Sequence, residues 1–139
     1  MAGNITFSII KPYAAKMGLI GPILALINEA GFKISAIKSE KLTFEQAEEF
    51  YNIHKSKPFY NDLVEFMSSG PIVAMILKKE NAVEDFRELI GNTDPSKAEQ
   101  GTIREKFADS LQKNAVHGSD CDENAIIESD FFFAKKERF

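Results

Sequence analysis

A single histidine set among small hydrogen-bonding residues is the strongest chemical feature of the sequence. His117 stands in the segment 114–120, Asn-Ala-Val-His-Gly-Ser-Asp, where an apolar stretch meets a turn. Histidine is partly neutral near pH 7, so one ring nitrogen can attack phosphorus while a partner holds the other. Glu128 is a candidate for that partner. The pattern favours a nucleophilic imidazole, although a lone histidine at a strand end is more often a packed or solvent-facing residue.

The length and composition of the sequence indicate what class of protein contains this histidine. With 139 residues, of which 44% are hydrophobic, it is expected to form a single domain over 1–139. The 21 acidic residues outnumber the 17 basic ones, so no overall field attracts nucleic acid or anionic lipid, and neither is expected as a partner. Apolar stretches such as 72–77 are too short to span a membrane, and one cysteine cannot form an intrachain disulfide. We expect a cytoplasmic protein.

The apolar spacing predicts the elements that position the histidine. Alternation or continuous apolar character predicts strands at 4–11, 32–36, 72–77 and 114–118. Helical spacing predicts helices at 19–30, 59–67, 81–90 and 103–111, and 124–129 is expected to lie in a last helix. A capping box predicts another helix beginning at Thr43. Gly31 and Gly91 are expected to end helices, and 92–101 is a loop of unusual length. These elements favour an α+β fold, a ferredoxin-like βαββαβ antiparallel sheet with additional helices and with helices over one face.

Four separated motifs give the sequence a specific resemblance. The segment 114–120 resembles the active-site signature of nucleoside diphosphate kinases. Ile-Lys-Pro at 10–12 resembles the first-strand lysine motif of that family, and Ser-Gly-Pro at 69–71 with Val-Ala-Met at 73–75 resembles its central strand. Gly-Asn-Thr-Asp-Pro at 91–95 and Gly-Thr-Ile-Arg at 101–104 resemble its nucleotide loop. The motifs follow the family's order along essentially the whole chain.

This resemblance implies an enzyme of nucleotide metabolism. It would transfer the γ-phosphoryl group from a nucleoside triphosphate, usually ATP, to a nucleoside or deoxynucleoside diphosphate by a ping-pong mechanism through phospho-His117. Mg²⁺ would be carried by the nucleotide phosphates, with no metal ligands from the protein. Enzymes of this family assemble as dimers that build tetramers or hexamers, so a homo-oligomer is implied.

The resemblance also assigns roles to particular residues. The implied catalytic residues are His117, Lys11, Tyr51, Ser119 and Glu128. The implied nucleotide-binding residues are Lys11, Phe59, Leu63, Arg87, Thr93, Arg104 and Asn114. Lys11, Arg87 and Arg104 would form a cationic clamp on phosphates. Phe59 and Leu63, four apart on one helix face, would contact any nucleobase, while Ser119 and Glu128 would orient the imidazole.

Two other functions remain as alternatives. A catalytically silent nucleotide-binding regulatory domain would keep the clamp without needing His117. A metal site could use the residues clustered around the turn, namely His117, Asp120, Cys121, Asp122 and Glu123. His54 stands where the family often has an aspartate, and it is interpreted as a surface helix residue.

Overall fold

Four antiparallel strands form the centre of the protein. The computed structural model describes residues 3–139, so Met1 and Ala2 of the expected 1–139 domain lie outside the described residues. The strands β1 (Ile5–Ile10), β2 (Lys33–Glu40), β3 (Ile72–Lys78) and β4 (Val116–Gly118) lie in the order β2-β3-β1-β4. Because β1 pairs with both β3 and β4, two strand-helix-strand units interleave in one sheet. This confirms the expected ferredoxin-like α+β fold.

Helices connect the strands and follow the last one. Within residues 3–139 they are α1 (Pro12–Lys16), α2 (Ile20–Glu29), α3 (Phe44–Phe50), α4 (Tyr60–Met67), α5 (Ala82–Ile90), α6 (Ile103–Phe107) and α7 (Asp122–Phe132). Short 3-10 segments occur at Asn52–His54, Pro95–Lys97 and Lys135–Glu137. Among these described helices, none has the length and apolar character needed to cross a membrane.

Helices cover both faces of the sheet, so the expectation of one covered face was incomplete. On one face, Phe7 and Ile9 of β1 pack in a core with residues of α3, α4 and α7. On the other face, Ile10 packs with residues of α2, α5 and α6. The physical reason is visible in β3, where the six consecutive residues from Ile72 to Leu77 are all buried. A strand that is apolar on both sides needs a helical layer on each.

The expected helix ends occur where local hydrogen bonding and backbone conformation require them. Thr43 opens α3, since its Oγ1 accepts from Gln46 N at 3.1 Å while Gln46 Oε1 accepts from Thr43 N at 2.9 Å. Gly91 ends α5 with φ of 85°, and a Cβ there would lie 2.5 Å from Thr102 Oγ1. Conformation and close approach therefore both require glycine at the start of the 92–101 loop.

Two predicted boundaries near His117 were wrong. The helix predicted at 103–111 ends at Phe107, because Ala108 is extended, with φ of −83° and ψ of 146°. The strand predicted at 114–118 begins only at Val116, since Ala115 has φ of 75° and breaks the extended chain. Residues 124–129 lie in the last helix, as predicted, and that helix spans Asp122–Phe132. Residues 108–115 therefore form a loop that approaches the site.

Candidate active site

One cavity brings the predicted site residues together. Its volume is about 810 Å³, within the usual range for small-molecule sites. Ten of the predicted residues line it: Lys11, Tyr51, Phe59, Leu63, Arg87, Thr93, Arg104, Asn114, His117 and Glu128. Ser119 does not line the cavity but is fully buried and contacts Glu128. The structure thus gathers residues that are distant in sequence into one continuous site.

Strand β4 presents His117 to the cavity from a tightly packed position. His117 pairs with Ile9 of β1, and Gly118 follows against α5. A Cβ on Gly118 would lie 3.0 Å from Phe86 Cδ2 and 3.1 Å from Ile90 Cδ1. Glycine thus lets β4 pack closely against α5, and His117 lies on the strand next to this contact.

A carboxylate and a hydroxyl fix the imidazole. His117 Nε2 lies 3.1 Å from Glu128 Oε1, and Ser119 Oγ donates to the same oxygen at 2.7 Å. Phe7 N in turn donates to Ser119 Oγ at 3.0 Å. Because an ionised carboxylate only accepts hydrogen bonds, Nε2 carries the proton and Nδ1 keeps its lone pair. This arrangement gives the ring a defined tautomer with a free nucleophilic nitrogen.

Three aromatic rings surround the same imidazole. The ring centroid of His117 lies 6.1 Å from that of Phe7, 5.7 Å from that of Phe50 and 6.3 Å from that of Tyr51. The Phe50 and Tyr51 rings meet it edge-on. These contacts restrict rotation of the imidazole without competing for its nitrogen atoms.

Lys11 and Tyr51 supply buried polar groups beside the histidine. Burial, with a smaller contribution from the positive charge of Arg104, lowers the pKa of Lys11 to about 7. Burial, assisted by the negative charge of Glu128, raises the pKa of the Tyr51 phenol, which therefore stays protonated and able to donate. The Tyr51 hydroxyl has no hydrogen-bond partner among residues 3–139. A buried donor of this kind is costly unless a ligand completes it.

Arg104 is also buried. Its side chain lines the cavity and also makes hydrogen bonds to the protein backbone. Its guanidinium donates to the carbonyl oxygens of Gly91, Asn114 and Val116 at 3.0, 3.3 and 2.9 Å. Burial, followed by the positive charge of Arg87, lowers its pKa to about 10, so it remains a cation at neutral pH. Asn114 Oδ1 is another buried atom that finds no partner within the part of the chain that the structure describes.

Apolar side chains line the mouth of the cavity, including some that the sequence analysis missed. Phe59 and Leu111 line it and are 49% and 62% exposed. Leu111 was hidden by the prediction of a helix over 103–111; it lies instead in the loop after α6. His54 is not a free surface residue, since it is half-buried and its ring centroid lies 5.6 Å from that of Phe59. The sequence carried no signal for Leu111, because Ile103, Phe107 and Leu111 keep the four-residue spacing of a helix.

The clustered residues of the 117–123 turn do not form a metal centre. Asp120 Oδ1 accepts from Asn124 at 2.6 Å, and this bond lowers the pKa of Asp120. Asp122 Oδ2 accepts from Gly3 N at 2.9 Å. Among residues 3–139, no group of three His, Cys, Asp or Glu side chains could hold a metal ion. Asp120 and Asp122 are therefore used by separate local bonds.

Known proteins are similar to this chain in both sequence and fold. The sequence profile described as nucleoside diphosphate kinase matches residues 4–138. The nucleoside diphosphate kinase of Flavobacterium psychrophilum is 58% identical over 139 residues, all of both chains. A crystal structure of the Aquifex aeolicus nucleoside diphosphate kinase has a TM-score of 0.96 at 42% identity, covering 98% of this chain and 99% of that one. A halophilic nucleoside diphosphate kinase from Halobacterium salinarum, in complex with CDP, has a TM-score of 0.93 at 35% identity, covering 99% and 92%.

Proposed function

Because this chain belongs to the nucleoside diphosphate kinase family, whose members transfer phosphate between nucleotides, we propose that the phosphoryl group passes through Nδ1 of His117. The observation that supports this most directly is the hydrogen bond between Nε2 and Glu128, which leaves Nδ1 as the free nitrogen. The catalytically silent regulatory alternative is not supported, since the relatives at high identity and full coverage are kinases.

The first half-reaction follows from this geometry. Nδ1 forms a bond to the γ-phosphorus while the bond from that phosphorus to the β,γ-bridging oxygen breaks, and the nucleoside diphosphate leaves. The ring becomes positively charged, and the Glu128 carboxylate stabilises that charge across 3.1 Å. Lys11, the Tyr51 hydroxyl and Arg104 stabilise the negative charge on the transferring oxygens. Ser119 holds Glu128 in place throughout.

The second half-reaction uses the same cavity in reverse. An acceptor nucleoside diphosphate occupies the position of the departed one, and its terminal oxygen attacks the phosphorus bound to His117. Arg87, Thr93 and Asn114 line the region assigned to the phosphates and sugar. One set of groups therefore serves donor and acceptor, which is the physical basis of a ping-pong reaction.

Mg²⁺ is proposed to enter with the nucleotide. Single carboxylates and the amide of Asn114 suit a metal that takes most of its oxygen ligands from phosphates and water. Bound there, the ion would neutralise phosphate charge and order the chain of phosphates. The protein residues then bind and orient the nucleotide, as described for each half-reaction.

The nucleobase is proposed to lie at the apolar mouth. Phe59 offers a ring face, and Leu63 and Leu111 offer aliphatic surface. Such surfaces contact any base without reading hydrogen-bonding groups on its edge, so purine and pyrimidine nucleotides are accepted alike. The structure of the Halobacterium salinarum relative is a complex with CDP, a pyrimidine nucleotide.

Further properties are proposed from the family as a whole. Residues 1–139 act as one kinase domain, since the family profile spans 4–138. The enzyme works in the cytoplasm, where nucleotide pools and Mg²⁺ are available, and it assembles as a tetramer or hexamer built from dimers. The partners are nucleoside di- and triphosphates, without nucleic acid or membrane.

Labelling of the enzyme tests the central proposal. Purified protein is incubated with Mg²⁺ and γ-labelled ATP, quenched in alkali, and compared with the His117→Ala variant. We expect acid-labile label on the wild type alone, discharged by GDP as labelled GTP. Label of equal amount on both proteins would place the phosphoryl group on another residue, and no label on either would exclude a phosphoenzyme.

A further inference from the structure

The chain adopts a strained turn immediately before His117. Ala115 has φ of 75°, and Val116 N donates to Asn114 O at 3.0 Å, which closes a three-residue turn. A γ-turn with positive φ is rare, and a residue with a Cβ adopts it only at an energetic cost. Ala115 is also fully buried, so solvent does not relieve the strain. Neighbouring groups must therefore impose this conformation.

Arg104 is the side chain that spans the turn. Its Nε donates to Asn114 O on one side at 3.3 Å, and its Nη2 donates to Val116 O on the other at 2.9 Å. The middle carbonyl, that of Ala115, accepts from Lys11 N at 2.9 Å. The three successive carbonyl oxygens of the turn, those of Asn114, Ala115 and Val116, thus each accept a hydrogen bond from a donor outside the turn. The planar guanidinium suits this role because its donors have a fixed spacing.

The position of the turn connects it to the reaction. Asn114 is its first residue and His117 follows its last residue, and both side chains line the cavity. Arg104 Nη1 also donates to Gly91 O at 3.0 Å, which ties the start of the loop carrying Thr93 to the same guanidinium. Relaxation of the turn would move Asn114 and His117 relative to each other and to this loop.

We propose that Arg104 is a positioning residue that holds the strained turn at Ala115, and thereby sets the attack geometry of His117, in addition to any contact with phosphate. The inference rests on the proposed role of His117. This role of Arg104 differs from an effect of its charge alone, because its three described hydrogen bonds are made to backbone carbonyl oxygens. These bonds leave one N–H on each terminal nitrogen of the guanidinium for a ligand.

Two substitutions separate these roles. Arg104→Lys keeps a positive charge at the cavity but loses the planar fork that reaches both sides of the turn. Ala115→Gly removes most of the cost of the positive φ, so the turn depends less on an external clamp. If Arg104 acts by holding the turn, Ala115→Gly should restore activity in the Arg104→Lys background.

The experiment is a double-mutant cycle on the rate of His117 phosphorylation at saturating Mg-ATP, measured in a single turnover. We expect Arg104→Lys to slow this step about 100-fold, as a small misplacement of reacting groups does. Adding Ala115→Gly should recover about tenfold of that loss, from the relief of left-handed strain. Independent effects of the two substitutions would overturn the proposal.

Arg87→Lys is the matched control. Arg87 lines the same cavity from α5, but the hydrogen bonds that hold the turn come from Arg104. The factor by which Arg87→Lys slows His117 phosphorylation should therefore be the same with and without Ala115→Gly, so that no rescue occurs. Equal rescue of Arg87→Lys and Arg104→Lys would mean that Ala115→Gly acts generally, and the proposal would be wrong.

Thermal unfolding of the same four proteins provides a second readout that does not depend on catalysis. Ala115→Gly should raise the melting temperature of Arg104→Lys by at least about 3 °C more than that of the wild type. The melting cycle decides the proposal even if Arg104→Lys is unfolded at the assay temperature. If Ala115→Gly gives Arg104→Lys no additional rise in melting temperature, the proposed role of Arg104 is refuted. Absence of label on wild-type His117 would instead refute the phosphoenzyme, and the melting data alone would then test the role of Arg104.

Discussion

Lys11 has a buried amine, and its surroundings oppose the charged form. Its burial and the nearby Arg104 lower its pKa to about 7, while its usual value is 10.5. In the free protein it is therefore largely neutral above pH 7. Phosphate oxygens favour the charged form, so a bound nucleotide should raise this pKa again. Binding above pH 7 must then take up a proton, and affinity must fall as pH rises through the window from 7 to 10.

Calorimetry of Mg-ADP binding in buffers of different ionisation enthalpy tests this at pH 8. We expect uptake of about one proton by the wild type, and an affinity that weakens by up to about tenfold per pH unit above pH 7. Lys11→Arg is the matched control, since arginine keeps its charge and removes the uptake. Equal proton uptake by both proteins would mean that Lys11 is already charged before the nucleotide binds.

The family resemblance of the sequence named ten of the residues that line the cavity, but it did not predict their geometry. Side chains as distant as Lys11 and Glu128 could be assigned because the motifs around them resemble a known family. Leu111 and His54 could not be assigned, since their positions depend on where a helix ends and on ring contacts across the cavity. The positive φ of Ala115 also had no sequence signal, because alanine ordinarily avoids that conformation.

At the scale of elements, the packing of β4 against α5 determines where His117 stands. The close contact occurs at Gly118, where a Cβ would meet Phe86 and Ile90 at 3.0 and 3.1 Å. Both of these side chains belong to the buried core, so they have little room to move. A methyl group at this position therefore forces Phe86 and Ile90 to shift by a few tenths of an ångström within a packed core.

Gly118→Ala should therefore impair both stability and activity. We expect a loss of about 1–3 kcal/mol in the free energy of unfolding, with slower His117 phosphorylation in the folded protein. Denaturant unfolding and the single-turnover assay measure the two effects. Gly21→Ala is the control, since a Cβ at Gly21 meets nothing within 4 Å, and we expect a change within about 0.5 kcal/mol. Equal effects of the two substitutions would show that the contact with α5 does not matter.

Element types were more predictable than element ends. The continuous apolar β3 and the capping box at Thr43 are local signals, and the structure confirms both. The end of α6 at Phe107 and the start of β4 at Val116 depend instead on contacts with distant parts of the chain. The five-residue helix α1 was not predicted, because Pro12 follows directly after a strand and the helix is too short to show a period.

At the scale of the whole molecule, one edge strand of the sheet is relevant to the formation of oligomers. Strand β2 lies at one end of the order β2-β3-β1-β4 and runs for eight residues. Its Ile37 is 47% exposed. The chain's last residue reaches this strand, since Phe139 N donates to Ser35 O at 2.7 Å. A long edge with an exposed apolar residue is suited to pairing with a second copy, which fits the proposed dimer-based oligomer.

Ile37→Glu should weaken assembly if the edge of β2 forms the contact, because a buried unpaired carboxylate opposes association. Light scattering after size-exclusion chromatography should show a wild type larger than a monomer and a concentration-dependent shift of Ile37→Glu to smaller species. The control is Ile126→Glu on α7, where the side chain is similarly exposed at 53%, and its mass should equal that of the wild type. Dissociation by Ile126→Glu alone would move the interface from β2 to α7, and a monomeric wild type would refute the proposed oligomer.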